Sequence, residues 1–155
     1  MNPNKKIRRL QSLLYTSGAG IILFSLWSGI RGIESFYRTL RETPEVLREI
    51  LNDRTQSIVL GIVIFFMFFG VIGIYVYIGR KAILTSLGQK TGRKYLILAS
   101  VTFVSSMALY LSEFFTSSPS EWLHIDDLIL TLIDLTSDVI LAEVVVFSIL
   151  LKKLR

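Results

Sequence analysis

Four long apolar stretches alternate with polar ones along this chain, and the alternation predicts the fold before any single residue is considered. The apolar stretches run from Leu10 to Ile33, Ser57 to Gly79, Tyr95 to Phe115 and Leu128 to Leu151. Each is long enough to cross a hydrocarbon core of roughly 30 Å, which takes about 20 helical residues. The first exceeds the roughly 7 to 15 residues of a signal-peptide core and has no convincing small-residue cleavage site, so it is expected to stay in the mature protein. The expected fold is all-α, an integral membrane four-helix bundle forming a single domain over residues 1–155.

The polar stretches predict the orientation. The N-terminal segment carries Lys5, Lys6, Arg8 and Arg9, the middle connection Arg80, Lys81, Lys90, Arg93 and Lys94, and the tail Lys152, Lys153 and Arg155, with no Asp or Glu in any of the three. The other side carries Glu113, Glu121, Asp126 and Asp127 in one connection and mixed charges from Glu34 to Arg54 in the other. Under the positive-inside rule both termini and the middle connection are cytoplasmic, in the cell membrane. A net charge of +5 therefore reads as a topogenic signal and not as a nucleic-acid footprint. The same basic clusters suit anionic lipid headgroups, at about 1 kcal/mol per residue near the surface. Within the first outer connection, TPEVLREILNDR places Thr43 as a cap and Pro44 at a first helical position, with Val46, Leu47, Ile50 and Leu51 on one side. A short amphipathic helix on the outer surface is expected there. SSPS at 117–120 reads as a turn, and His124 as an interfacial residue.

Composition removes several classes of chemistry. At 52% hydrophobic and 19% charged, the chain departs from soluble domains, where about 25% of residues are charged. The absence of cysteine excludes disulfides, thiolate metal sites and thiol redox chemistry. One histidine leaves little for a metal, and no HExxH, nucleophile elbow or P-loop occurs. Neither an enzyme nor a cofactor is expected.

The last stretch is the exception to the apolar pattern, because Asp134, Asp138 and Glu143 lie within it. On a helix, Asp127, Thr131, Asp134 and Asp138 form one stripe that Val145 continues toward the cytoplasm, while Glu143 projects from nearly the opposite side near Leu132 and Thr136. With Trp122 at the outer interface and Lys152 at the inner one, Asp138 falls near mid-membrane and Asp134 about 6 Å further out. Three such acids would cost roughly 8 to 10 kcal/mol if ionised and exposed to lipid. They must therefore be protonated and hydrogen-bonded, or face water, a cation or an Arg. Arg31, near the outer end of the first stretch, is placed to reach inward toward Asp127 or Asp134. No basic residue lies at the depth of Asp138 or Glu143.

Neighbouring stretches offer complementary surfaces. Ala99, Thr102, Ser106 and Glu113 share one side of the third, supplying hydroxyls at the depth of the acids. Gly18, Ser25, Gly29 and Gly32 make a small-residue seam along the first, best read as close packing. The second, with Phe65, Phe66, Phe68 and Phe69 and no ionisable residue, is expected to face lipid or a neighbouring subunit.

Two functional expectations follow. The first is a cation or proton pathway, as a channel or transporter, in a small homo-oligomer. Asp134 and Asp138 would act as relay or ring, Asp127 as outer attractor, with Thr131 and Glu143 in the pathway and Thr102, Ser106, Glu113 and Arg31 in support. Oligomerisation is expected because two polar faces on one helix need two covered environments. The alternative is a non-transporting accessory or assembly protein whose buried acids bind a partner subunit. Water or an ion beside the acids favours the first reading, and a dry hydrogen-bonded seam the second. Asp134 and Asp138 also have a DxxxD spacing that resembles half of the magnesium-diphosphate motif of membrane prenyltransferases and CDP-alcohol phosphotransferases. The second acidic motif and the accompanying Gly and Ala-Arg positions are missing. The length and four spans resemble small multidrug transporters, whose essential Glu sits in the first span, where this chain has only Glu34 beyond the membrane edge.

Overall fold

A computed structural model describes residues 3–42, 52–116 and 125–154. Four helices hold them: α1 (Pro3–Glu42), α2 (Arg54–Ser86), α3 (Lys94–Thr116) and α4 (Ile125–Leu154). At 1.5 Å per residue they measure about 60, 50, 35 and 45 Å. Each predicted apolar stretch therefore lies inside one helix, and the helices overrun the stretches at their polar ends. α1 continues from Glu34 to Glu42 through residues read above as a connection. The cause is local: Arg31 Nη1 donates to Glu34 Oε2 at 2.6 Å and Arg38 Nη2 lies 3.6 Å from Glu34 Oε1, the i,i+3 and i,i+4 spacings that a helix brings together. At the other end Pro3 occupies a first helical position, where its missing N–H costs nothing. The expected outer helix over Thr43–Leu51 and the SSPS turn lie outside the described residues.

By length and composition, two of the helices are apolar enough to cross a membrane, Asn4–Arg38 in α1 and Arg54–Ser86 in α2, with mean hydropathies of 1.5 and 2.8. α2 is apolar on every side and none of its most apolar window is buried.

The chain divides into two compact units, one made of Met1–Ile22 with Tyr77–Arg155 and the other of Leu23–Val76. In the second unit Gly29 of α1 lets Phe68 and Ile72 of α2 approach, since a Cβ there would lie 2.9 Å from Phe68 Cε2 and 3.0 Å from Ile72 Cγ1. Phe65 and Phe69 stack at 4.5 Å between ring centroids, with Phe65, Phe66 and Phe69 largely exposed. Gly32 has open space around it, so the small-residue seam ends at Gly29.

The first unit contains the tightest approach. Gly79 of α2 meets Gly18 of α1 so closely that a Cβ on Gly79 would fall 2.5 Å from Gly18 O and 2.6 Å from Ile22 Cγ1. Backbones can come this near only where both partners lack a side chain. In the same unit α3 packs on α4. The turn from α2 to α3 closes with a Schellman motif: Gly88 adopts φ 90°, its N–H donates to Thr85 O at 3.1 Å, and Gln89 N–H donates to Leu84 O at 3.0 Å. Beneath the turn Thr85 Oγ1 lies 2.5 Å from Thr91 Oγ1 and 3.1 Å from the hydroxyl of Tyr95, a side chain buried almost completely. Lys152 places its Nζ 5.3 Å from the Tyr95 ring centre, tying the end of α4 to the start of α3.

Candidate functional site

The buried face of α4 runs through Asp134, Asp138, Leu141, Val144, Ser148 and Leu151 at the three- and four-residue steps of a helix stripe, with Ser137 beside Asp138 widening it. Asp134 is 8% exposed and Asp138 2%. Both acids therefore lie within the stripe that the chain itself covers, while Leu132, Leu135, Val139, Val146 and Ile149 form the exposed surface of the helix. Toward the end of α4 the stripe continues through Val144 and Ser148, and Val145 is only partly buried.

Asp138 accepts a hydrogen bond at 2.8 Å from the Ser106 hydroxyl of α3. This is the register expected from the hydroxyl-bearing side of that helix, and it gives a buried carboxyl the donor it needs. Thr102, one turn away on the same side, turns its hydroxyl to Leu98 O of its own helix at 2.9 Å. This is a common way for Thr to satisfy itself in a helix. Asp134 is buried one turn from Asp138, and Thr131 is partly buried. The side chains of Asp127 and Glu113 lie outside the described residues. Arg31 is bonded to Glu34 within the second unit, as described above.

Glu143, on the far side of α4, has its own partner. Ser17 of α1 donates to Glu143 Oε2 at 2.7 Å. Ser17 is buried in the stripe of α1 that also contains Leu10, Leu14 and Ile21. Close packing nearby supports the contact, because a Cβ on Gly20 of α1 would lie 3.4 Å from Ile140 of α4. Within the first unit α4 is thus held on one side by a serine of α3 and on the other by a serine of α1. Ser17 was not among the sequence-derived candidates. Nothing in the sequence marks it beyond its place next to Gly18.

Two further hydroxyls were missed. Ser137 and Ser148 of α4 are buried and their Oγ atoms have no hydrogen-bond partner among the described residues. Ser137 stands between the two aspartates in sequence, one turn from Asp134 and next to Asp138. No group of three or more His, Cys, Asp or Glu side chains is arranged to hold a metal among the described residues. Chemically, the carboxyls so placed can accept hydrogen bonds and can hold a proton or a weakly bound cation.

No protein-family model, curated protein or solved structure matches this chain.

Proposed function

We propose that the chain is a four-span integral protein of the cell membrane, with both termini and the α2–α3 turn cytoplasmic. In this reading the acids of α4 are internal ties that fasten its helices, in a non-transporting accessory or assembly protein. The length and apolarity of α1 and α2 support membrane insertion. So do the large apolar side chains exposed along all four helices, among them Leu23, Phe66, Val104 and Ile149, a surface that suits acyl chains better than water. The acid-free basic segments support the orientation.

One observation carries the functional reading: Asp138 and Glu143 each accept a hydrogen bond from a serine, and the two serines belong to different helices. A carboxyl so placed escapes the cost of facing lipid and draws two helices together at a fixed register. Because α3 and α1 supply these partners inside one chain, neither polar face of α4 needs a second copy to cover it. With Asp134 and Asp138 buried, their carboxyls serve the chain's own helices more readily than a partner's Arg or Lys.

A test follows from the chemistry of the Ser106 bond. Asparagine at 138 keeps an acceptor for the half-buried Ser106 hydroxyl, whereas leucine takes that acceptor away, at about 1 to 3 kcal/mol. In detergent, Asp138→Asn is expected to unfold near the wild-type temperature and Asp138→Leu well below it. Equal loss in both variants would show that the carboxyl's charge or proton matters more than the tie.

A second reading, a cation or proton pathway, draws on a different observation. Asp134, Ser137 and Asp138 form a buried polar group in which the Ser137 hydroxyl has no partner among the described residues, and ionisable groups inside a membrane are functional by default. Such a pathway would run inside a single chain, since both aspartates are covered by it.

A further inference from the structure

Twelve of the seventeen lysines and arginines fall in three segments, 1–33, 79–112 and 144–155, if Arg31 is set aside, and none of the three contains an Asp or Glu. Among the described residues these cations stand at the start of α1, around the α2–α3 turn and at the end of α4, all belonging to the first compact unit. At this end the structure has an open groove of about 400 Å³, lined by Gln11, Ser12 and Tyr15 of α1 with Ser86 and Leu87 where α2 ends.

The chemistry along the α1 wall is graded. Lys5 and Arg8 come first, and helical spacing puts them on the face that also carries Ser12 and Tyr15. Neutral hydrogen-bonding groups follow at Gln11 and Ser12, and an exposed aromatic ring at Tyr15. From Arg8 to Tyr15 the rise is about 10 Å. Opposite stand the Ser86 side chain, whose hydroxyl is bonded to Ile83 O at 2.7 Å, and Leu87, which is 65% exposed. The order cation, neutral donor, apolar contact is the order phosphate, glycerol ester, acyl chain of a phospholipid lying beside a helix.

We propose that this groove binds one anionic phospholipid, its phosphate at Arg8 and Lys5, its glycerol region at Gln11 and Ser12, and the top of an acyl chain against Tyr15 and Leu87. The inference rests on the membrane reading above. Its partner is fixed by charge: a surface with many cations and no acid in the flanking segments favours a phosphate without a compensating cation over a zwitterionic headgroup.

The test titrates the full chain, purified in detergent, with phosphatidylglycerol or with phosphatidylcholine of the same acyl chains, and counts bound lipid by native mass spectrometry. One phosphatidylglycerol per chain is expected to be retained in preference to phosphatidylcholine. At about 1 kcal/mol per basic residue, Arg8→Gln should weaken retention about fivefold. Arg8→Lys should preserve it. Lys153→Gln removes a charge at the same end from α4, which contributes no lining residue to the groove, and should change retention less than about twofold. Equal retention of the two lipids, or equal effects of Arg8→Gln and Lys153→Gln, would overturn the proposal. So would displacement of the lipid by inorganic phosphate at comparable concentration, which would mark a site for a free anion. A chain recovered in the soluble fraction without detergent would instead remove the membrane reading, an outcome separate from these.

Discussion

The hydroxyl of Ser17 on α1 donates to Oε2 of Glu143 on α4 at 2.7 Å, across 126 positions of sequence. Intrahelical i,i+4 pairing cannot supply such a contact. It exists because α1 and α4 pack together in the first compact unit, where Gly20, three residues further along α1, faces Ile140 of α4.

The energetic coupling of this pair is accessible by a double-mutant cycle. Interhelical hydrogen bonds in membranes average about 0.6 kcal/mol, with a maximum near 1.7. Ser17→Ala, Glu143→Ala and the double variant should give a coupling of that size in reversible unfolding from detergent. Additive effects would show that the two side chains are neighbours without being partners.

Ser106→Ala should be costlier than its size suggests. It removes the donor to Asp138 and leaves a carboxyl that is 2% exposed without that bond, at about 1 to 3 kcal/mol. Thr102→Ala, one turn away, removes a hydroxyl that bonds only its own helix, and is expected to change stability by less than about 0.5 kcal/mol. Thermal unfolding of the two variants side by side checks the contrast.

Gly79 and Gly70 make a matched pair on one helix. A Cβ on Gly79 meets backbone at 2.5 Å, whereas a Cβ on Gly70 has nothing within 4 Å. Gly79→Ala should therefore destabilise by about 1 to 3 kcal/mol through forced separation of α1 and α2. Gly70→Ala should be neutral or stabilising by up to about 1 kcal/mol, from reduced backbone entropy in the unfolded chain. The same unfolding measurement reads both.

Orientation can be mapped with thiols, since the chain has no cysteine of its own. Lys90→Cys and Lys153→Cys should react with a membrane-impermeant maleimide only after the cytoplasmic side is opened, and Asp53→Cys in intact cells. Labelling of all three in intact cells would contradict the proposed topology.

Much of this organisation was legible in the sequence, and the parts that were not have physical reasons. The four helices follow from the length of the apolar stretches, and the Ser106 to Asp138 register follows from the side that Ala99, Thr102 and Ser106 share. Gly18 and Gly29 were readable because α1 mixes small and large residues with helical period. Gly79 was not, because α2 is apolar on every side and carries no periodicity to say which face turns inward. The extension of α1 to Glu42 depends on short-range ion pairs around Glu34, which a hydropathy pattern does not register. Ser17 was hidden for another reason: one hydroxyl beside a glycine has no distinguishing pattern until the helix opposite it is known.

The central claim is that the acids of α4 fasten helices and do not conduct. It is tested most directly by proton and potassium flux into liposomes containing the purified chain, measured for the wild type and for Asp134→Asn and Asp138→Asn. The account predicts flux in all three equal to that of protein-free liposomes. Wild-type flux above that level, abolished by either asparagine variant with the fold retained, would contradict it.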